Sequence, residues 1–454
     1  MIENNLSWLQ TMKQPKGYAG PVSHYWSDSL IYIGPGNDWR YEGLMAAYIK
    51  LFNKTKSRYF LDLAIQCGEF VVAGQKNDGS FLNSGFESNP SFHFSYMPHE
   101  SAADISLLDL VLVLKKNGML YKKYLIAAEK NLNKVHLKEF FDSKEKTFTQ
   151  YDKKRALGVS NSFVPNKIAT VCEAVIRYYN LTKNKKYLAI ALAAAEKILL
   201  LQDKGEYFGG IYQENTKKKI ITYYTARCIP LLLELHSITK DEKYLQAALD
   251  AGEFVKKMWC VKGFRFGFVS ANTGGFMRCD MPFFAAGSAD IIRALLLLKE
   301  KDVLKVSEKK YLNWVFSLQD KNGAFRSFYG LEAKNKPLKY NSFSSKPSWR
   351  DTLHVVGWND KALRLLSELL DKDCHLKLIQ QQTDELKIKC SDALYIENAD
   401  KIVVKGDENY FFGKKDSFSN SNKLLKELVY SSYLNYGGAF RKLSGPVTKT
   451  IGAL

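Results

Sequence analysis

Residues 185–210, KKYLAIALAAAEKILLLQDKGEYFGG, indicate the architecture of the chain because they join an amphipathic helical pattern to a glycine-aromatic turn. A Tyr followed by Leu or Phe opens this pattern. The same phrase recurs at intervals of 57 to 67 residues, at Tyr59, Tyr124, Tyr187, Tyr244 and Tyr311. Three of these helices lead into a Gln and a Gly-aromatic turn: GQKNDGSF, LQDKGEYFGG and LQDKNGAF. A unit of about 60 residues is a helical hairpin with its loops, and such units must stack to bury their apolar faces.

Two rings of helices can be drawn from the repeat. The Tyr-led helices carry Lys and Glu on one face, as an outer ring would; they are predicted near 57–74, 121–135, 185–202, 242–258 and 307–318. The helices between them are rich in small and apolar residues, as an inner ring would be; they are predicted near 39–53, 100–116, 166–182, 222–239, 283–299 and 351–370. Residues 3–13 would supply a sixth outer helix. The sequence therefore predicts an all-α fold, a closed (α/α)6 toroid.

A different pattern begins after the sixth inner helix. The stretch LKIKCSDALYIENADKIVVKGDENYFFGK, residues 386–414, alternates and is rich in β-branched and aromatic residues. It predicts three or four short strands, followed by a short helix near 421–433 and a basic tail. We expect a barrel over residues 1–372 and a small β-containing appendage over residues 373–454.

The composition of the 454 residues narrows the class of protein and its partners. Hydrophobic residues make up 46% of the chain, enough for a large core, yet no run of 18 apolar residues occurs. The N-terminus has no signal pattern, so we expect a cytosolic protein. Seven Cys residues without a CxxC pair indicate neither a zinc site nor a disulfide framework, and we expect no metal and no cofactor.

The formal net charge of +19 leaves two interpretations open. One is an anionic partner such as nucleic acid, a membrane surface or an acidic glycan. The other is simply a Lys-rich surface. No known nucleic-acid-binding motif is present, and the basic tail at residues 436–454 favours peripheral membrane contact.

Each predicted inner helix begins with a polar or aromatic cluster. In a toroid of alternating hairpins the inner helices are parallel, so their N-termini gather at one mouth. Their free N–H groups and partial positive charge favour an anionic ligand, and Arg40, Lys167, Arg227 and Arg350 would add four cations. Trp and Tyr rings beside carboxylates suit a sugar, and glycosidic chemistry commonly uses a pair of carboxylates.

These clusters supply the candidate site residues. Acid–base work is assigned to Glu100 with His99 beside it, opposed by Asp38 or Asp290, and Tyr224 or His99 is the candidate base for a lyase. The candidate substrate-binding residues are Trp39, Arg40, Glu42, Glu87, Asp104, Asn166, Lys167, Tyr223, Arg227, Asp280, Trp349 and Arg350. Each has a structural alternative as a helix cap or an ion pair: Asp38 as an N-cap, and Asp290 as a buried partner of Arg293.

The hairpin phrase T-x-x-x-(K/R)-Y-(L/F)…A…Q…G-(S/G/A)-F, seen around Tyr59 and Tyr187 and partly around Tyr244 and Tyr311, resembles the six-hairpin glycosidase-like superfamily. That superfamily includes unsaturated glucuronyl hydrolases, N-acylglucosamine 2-epimerases and several polysaccharide lyases. The resemblance covers residues 1–370. It implies the (α/α)6 architecture and a carbohydrate-active enzyme, and it assigns no catalytic pair.

Three functions stay open from the sequence. The first is a hydrolase, lyase or epimerase acting on an acidic or N-acetylated saccharide. The second is a terpenoid or isoprenoid enzyme on a similar toroid, although no DxDD or DDxxD motif is present. The third is a non-catalytic glycan-binding toroid in surface-polysaccharide assembly. Inward carboxylates would favour the first function, and an apolar funnel the second.

Overall fold

A computed structural model provides the structure of the chain. It describes residues 1–24, 27–33, 36–82, 99–149, 162–260, 263–271, 274–330, 349–376, 385–390, 394–398, 401–405, 409–413, 433–436 and 439–442. Within those ranges, only the backbone is described for residues 21–33, 99 and 349–350 and beyond residue 398.

The inner ring contains six helices, the last of which is preceded by a single helical turn, α12. Within the described residues the six helices are α2 (Arg40–Thr55), α4 (His99–Lys116), α6 (Pro165–Thr182), α8 (Thr222–Thr239), α10 (Ser288–Glu300) and α13 (Val356–Leu369), and the turn α12 is Trp349–Thr352. Each inner helix packs on the next, from α2 through α4, α6, α8 and α10 to α13, and α13 packs back on α2. The ring is therefore closed.

The outer ring covers the inner one, with each outer helix packed on its hairpin partner. Its helices are α1 (Ile2–Thr11), α3 (Arg58–Ala73), α5 (Lys122–Asn131), α7 (Lys185–Leu200), α9 (Glu242–Lys257) and α11 (Glu308–Phe316). A π-helical segment, Leu132–Phe140, extends α5. Helix α1 packs on α13, which confirms that the N-terminal segment closes the outer ring.

Burial distinguishes the two rings as the sequence predicts. Helix α7 is buried at Tyr187, Ala191, Ala194, Ala195 and Ile198, a single face at helical spacing. Helix α6 is buried on nearly every side, including all nine residues from 168 to 176. A helix with so little exposed surface must lie between others.

The glutamine-glycine turns hold neighbouring outer helices together. Gln202 donates from Nε2 to the carbonyl oxygen of Gly209 at 3.3 Å and to that of Ala247 in α9 at 2.8 Å. Gly209 has φ +85° and lies against the Asp250 carbonyl, where a Cβ would clash. The same pair of bonds runs from Gln75 to Gly79 and Ala127, and from Gln319 to Gly323 and Met1. Because Gln319 reaches Met1, α1 takes the place of the outer helix that follows α11.

Short strands lie in the segments that connect the helices of the toroid. The N-terminal strands are β1 (Lys13–Gln14), β2 (Gly17–Tyr18), β3 (Gly20–His24) and β4 (Ser27–Ile33). Those between helices are β5 (Phe141–Asp142), β6 (Thr147–Phe148), β7 (Lys219–Ile221), β8 (Trp259–Cys260), β9 (Gly263–Phe264), β10 (Gly267–Ser270), β11 (Phe276–Cys279), β12 (Phe283–Phe284) and β13 (Phe328–Tyr329). Two-stranded hairpins are formed by β1–β2, β5–β6 and β8–β9. Strand β12 pairs with the distant β13, and β7, β10 and β11 form one three-stranded sheet.

The C-terminal segment contains the predicted strands. An antiparallel meander consists of β14 (Leu386–Lys389), β15 (Leu394–Glu397), β16 (Lys401–Lys405) and β17 (Asn409–Gly413). Two further strands, β18 (Tyr433–Tyr436) and β19 (Ala439–Lys442), join β3 and β4 in a second four-stranded sheet. The helix predicted near 421–433 lies outside the described residues except for its last position, which begins β18. The division at residue 372 stays a prediction.

Two helix boundaries differ from the prediction for identifiable reasons. Helix α10 begins at Ser288 rather than near 283, because Phe283 and Phe284 pair with β13 as strand β12. The sixth inner helix, predicted over 351–370, is broken at residues 353–355. There the Leu353 carbonyl accepts a hydrogen bond from the Ser327 backbone, and the His354 ring is buried between two carboxylates.

Candidate functional site

The two ends of the toroid differ in the length of their connections. At the C-terminal ends of the inner helices, two residues connect α2 to α3, α6 to α7 and α8 to α9. At the N-terminal ends the connections are residues 74–98, 201–221 and 258–287. Long loops on a rigid scaffold are where binding residues concentrate. The N-terminal end, here called the mouth, is therefore the candidate site.

Side-chain contacts confirm that the inner helices run in the same direction. Glu42 in the first turn of α2 contacts Arg227 and Lys361, which lie in the first two turns of α8 and α13. Near the other end, Arg177 of α6 contacts both Asp109 of α4 and Glu234 of α8. The N-terminal turns of these helices contact one another, and so do their C-terminal turns, as expected for parallel helices.

Aromatic rings form one wall below the mouth, the aromatic wall: Trp39, Tyr223, Phe284, Phe328 and Trp358. The rings of Trp39 and Trp358 meet edge to face at 4.4 Å. Tyr223 stacks on Phe284 with ring centres 5.1 Å apart and lies 5.3 Å from Trp358. Tyr223, Phe284, Phe328 and Trp358 are each at most 7% exposed, whereas Trp39 is half-buried. Trp39 is therefore the ring of this wall that is best placed to meet a sugar.

Glu42 is the centre of a buried charge network on the toroid axis. Its carboxylate contacts Arg227 at 2.8 Å, Arg364 at 3.2 Å and Lys361 at 3.6 Å. Arg227 also binds Glu173 of α6 at 2.8 Å. Burial raises the pKa of Glu42, but the surrounding cations outweigh that effect and hold the pKa well below its usual value. Glu42 is therefore ionised.

Asp290 lies beside this network in the first turn of α10. It accepts a hydrogen bond from the Tyr223 hydroxyl at 3.2 Å and another from Arg293 at 3.2 Å. Burial raises its pKa, but Lys361 and Arg293 outweigh burial and lower it. Burial, with Asp290 nearby, raises the pKa of Tyr223 well above its usual value. The result is an ionised carboxylate next to a phenol that stays protonated.

Asp360 is a third buried carboxyl group, and its pKa moves in the opposite direction. Its Oδ2 accepts from the Gly43 backbone at 3.1 Å and from Lys361 at 2.8 Å. Its Oδ1 has no partner among the described residues. Burial raises the pKa well above the usual value although Lys361 opposes it. Carboxyls whose environments move their pKa values apart are the usual basis of acid and base assignments.

Asp38 and Arg40 form a closed pair at the start of α2. Arg40 donates to Asp38 from Nε at 2.7 Å and from Nη2 at 2.6 Å, and both side chains are buried. The Arg40 backbone also donates to Asp38 at 3.1 Å, and Nη1 donates to the Tyr18 carbonyl. This pair shapes the helix start, and the positive charge of Arg40 is neutralised within it.

Glu100 lies between the inner and outer rings. It accepts from Asn131 of α5 at 2.5 Å, and the same amide donates to the Gly79 carbonyl at 2.9 Å. In another repeat Asn5 makes the matching bonds, to Gly323 at 3.1 Å and to Asn359 of α13 at 3.1 Å. Glu100 and Asn359 thus occupy equivalent places that tie an inner helix to an outer one. The catalytic role of Glu100 stays a prediction.

Asp104 and His136 form a buried polar pair one turn below Glu100. Asp104 Oδ2 and His136 Nε2 are 3.7 Å apart, and neither side chain is hydrogen-bonded within the described residues. Burial and the nearby Glu100 raise the pKa of Asp104 well above its usual value. Burial lowers the pKa of His136 to about 3. Although the pair is close enough for an ion pair, burial of both groups favours the neutral forms.

The remaining predicted residues are distributed along the mouth. Tyr224 is half-buried beside Tyr223, Asn166 and Lys167 lie in the first turn of α6, and Asp280 contacts Arg265 at 3.0 Å and Arg278 at 3.2 Å. His99 begins α4, and Trp349 and Arg350 lie in α12, but their side chains are outside the described ones. Glu87 lies outside the described residues. In the described part of the chain, no three His, Cys, Asp or Glu side chains form a group that could hold a metal ion.

Sequence reasoning missed several members of the charge network. Glu173, Asp360, Lys361 and Arg364 lie inside helices, whereas the residues predicted from the sequence lie at helix starts. Their signal was available: WNDKALRLLSE, residues 358–368, places charged residues on a helix that is otherwise apolar. The pairing of Asp290 with Arg293, considered as the structural alternative, is present.

The chain is similar in fold to several solved structures. No family model matches the chain, and no curated protein matches it. Among solved structures, cellobiose 2-epimerase from Bacillus thermoamylovorans has a TM-score of 0.59 at 13% identity, covering 81% of this chain and 98% of that one. A D-mannose isomerase has 0.55 at 15% identity, covering 81% and 96%. A glycoside hydrolase family 76 mannosidase from Bacteroides thetaiotaomicron has 0.51 at 13%, covering 81% and 97%. The chain has the (α/α)6 toroid fold of these solved structures.

Proposed function

We propose that this chain is a carbohydrate-active enzyme that binds a saccharide at the mouth of the toroid. The proposal rests on the buried carboxyl groups and cations that lie together on the axis of the toroid. Carboxyl groups of Glu42, Asp290 and Asp360 lie there with Arg227 and Lys361 beneath an aromatic wall. A terpenoid enzyme would need a dry apolar funnel, and a charged axis argues against one. Solved structures of the same fold include an epimerase, an isomerase and a mannosidase.

We assign the acid–base role that touches substrate to Asp290. It is ionised, 8% exposed, and close to the N-terminal end of α10. Tyr223 supplies a protonated hydroxyl at 3.2 Å, so a proton can be accepted and another donated within one small region. Glu42 is held by three cations and serves as a fixed charge. A base and an acid placed together in this way could serve a lyase or an epimerase, and a hydrolase would use Asp290 with a second carboxyl group.

We further propose that the saccharide is acidic or N-acetylated. Arg40 and Arg227 are neutralised by their own carboxylates, so they do not supply a free positive charge. Support comes instead from the helix N-termini that gather at the mouth, whose free N–H groups and partial positive charge favour an anionic group. A cytosolic location stays a prediction; no helix of the described residues is long and apolar enough to cross a membrane.

Proton NMR in D2O on a panel of saccharides tests the proposal. The panel contains mannose, cellobiose, α-1,6-mannotriose, N-acetylglucosamine, glucuronate-containing oligosaccharides and their 4,5-unsaturated forms. Hydrolysis, epimerisation and elimination give distinct signals, so the reaction class is read directly. We expect turnover of at least one compound, and Asp290→Asn should reduce it by about a hundredfold or more.

Glu368→Gln is the matched control. Glu368 binds the same arginine, Arg293, at 2.9 Å, but it lies in the last turn of α13 and is 28% exposed. Removing the negative charge of Glu368 should leave turnover within about threefold of the wild type, because Glu368 lies far from the mouth. Binding without turnover would favour a glycan-binding scaffold. Equal losses in both variants would show that Asp290 acts only by supporting Arg293.

A further inference from the structure

The end of the toroid opposite the mouth, here called the base, consists of six connections. They are residues 54–58, 115–123, 183–186, 240–243, 299–310 and 371–373. Contacts between inner-helix ends place these connections on one surface. Lys54 near the end of α2 donates to the Glu368 carbonyl of α13 at 3.2 Å, and the Asp373 backbone donates to the Lys54 carbonyl at 2.8 Å.

The base carries more than half of the net charge of the chain. Its six ranges contain eighteen Lys and Arg and seven Asp and Glu, a net charge of +11 out of +19. Three of them, 54–58, 115–123 and 183–186, contain no acidic residue. Most of these cations are exposed. The positive charge is therefore concentrated at one end rather than spread over the molecule.

Helix electrostatics account for only part of this concentration. Inner helices end at the base, where a helix C-terminus favours cations, as at Lys115 and Lys116 in the last turn of α4. Outer helices begin at the base, and a helix N-terminus carries a partial positive charge that disfavours nearby cations. Yet Lys122 and Lys185 open α5 and α7, and the first turns of α3, α5 and α7 contain no acidic residue. Part of the Lys content is structural, since Lys123 and Lys186 lie over neighbouring Tyr rings. Lys115, Lys116 and Lys122 have no such contact and no ion pair within the described residues.

Exposed apolar side chains lie within this basic surface. Leu120, in the connection between α4 and α5, is 94% exposed. Leu112 on the last turns of α4 is 44% exposed, and Ile126 on the second turn of α5 is 60% exposed. Lysines surround them on both helices. Large apolar side chains in water are unfavourable, and their presence among cations is a feature of interaction surfaces.

We propose that the base docks on an anionic phospholipid membrane, with Leu120 inserted among the headgroups. Cations attract the negative surface and apolar side chains add burial, the two contributions that peripheral binding needs. A nucleic acid would match the charge but would leave Leu120 in water. The mouth would then face away from the membrane, with its site open to saccharides. This inference is independent of the reaction at the mouth.

Co-sedimentation with phosphatidylcholine vesicles containing 30% phosphatidylglycerol tests the proposal. We expect binding to these vesicles, none to pure phosphatidylcholine, and loss in 1 M salt, where charge is screened within a few ångströms. The triple variant Lys115→Glu, Lys116→Glu, Lys122→Glu should lower the partition coefficient by at least about a hundredfold. Leu120→Ser should lower it about tenfold through the lost apolar burial.

The control reverses the same number of charges at the mouth: Lys204→Glu, Lys217→Glu, Lys218→Glu, all exposed. It should bind vesicles within about threefold of the wild type. Equal losses in the two triple variants would overturn the proposal in favour of general electrostatic attraction. Full vesicle binding by Leu120→Ser, together with tight binding of the wild type to duplex DNA at the same salt, would identify a polyanion site instead.

Discussion

Glu42 holds three cations on one buried carboxylate, and its environment illustrates how residues on the axis depend on each other. Removing one partner from a buried pair leaves an uncompensated charge, which is costly. Glu42 would keep Lys361 and Arg364 if Arg227 were lost, whereas Glu173 would lose the partner it contacts at 2.8 Å. The network is therefore required for the shape of the axis as well as for its charge.

Arg227→Met should lower the free energy of unfolding by about 3 kcal/mol, because two buried carboxylates lose a partner. Urea unfolding followed by circular dichroism measures the change. Arg58→Met is the control, since the Arg58–Asp62 pair is more than half exposed and such pairs contribute about 0–1 kcal/mol. Similar effects in the two variants would contradict a stabilising axial network.

The variant Glu100→Gln distinguishes a structural role of Glu100, which is the hydrogen bond to Asn131, from an acid–base role in catalysis. The equivalent place in another repeat is occupied by Asn359, an amide that makes the same tie to an Asn of the outer ring. The contact with Asn131 therefore predicts nearly wild-type stability and turnover for Glu100→Gln, and a clear loss of stability for Glu100→Ala. A hundredfold loss of turnover at unchanged stability would instead support the acid–base role.

At the scale of elements, His354 links three separate segments of the chain. Its ring nitrogens contact Glu397 of β15 at 2.5 Å and Asp320, which follows α11, at 3.0 Å. Trp8 of α1 donates to the same Glu397 at 2.7 Å. Strand β15 of the C-terminal segment is thus hydrogen-bonded to α1, which closes the outer ring, and to His354 in the break before α13. Sequence patterns predict each element, but contacts so distant along the chain leave no local signal.

The pH dependence of stability should report this link. Burial lowers the pKa of His354, but Glu397 and Asp320 outweigh burial and raise it to about 9, above the value of about 6.5 expected in the unfolded chain. The stabilisation is then complete below pH 6.5 and lost as the pH rises through 9. It amounts to about 3 kcal/mol at most.

Unfolding free energies of the wild type and His354→Gln, measured from pH 6 to pH 10, check this expectation. The difference between them should shrink as the pH rises, because only the wild type loses a stabilising charge. A difference that is constant across the range would show that His354 is neutral in the folded protein.

At the scale of the whole molecule, the repeat is sufficient to predict the toroid. Apolar periodicity predicts α8 over 222–239 and α7 from 185, in agreement with the structure. The ring closure follows from counting five Tyr-led helices against six inner ones. The axial network is harder to predict, because Glu42, Arg227 and Lys361 come together only once the ring closes.

Deleting residues 1–14 should lower the melting temperature by several degrees or more. The deletion removes Trp8 and the bonds from Asn5 to Asn359 and from Gln319 to Met1, exposing the surface of α13. Differential scanning calorimetry measures the shift. Trp8→Phe is a milder variant that keeps the helix and should give a smaller decrease. An unchanged melting curve for the deletion would contradict closure by α1.

A crystal structure of the Asp290→Asn variant with the saccharide that the wild type turns over would show directly whether Asp290 contacts the substrate. We expect a sugar ring at the mouth, against Trp39, with a polar atom within about 3 Å of residue 290. A saccharide bound elsewhere, with the mouth empty, would contradict the assignment of the site.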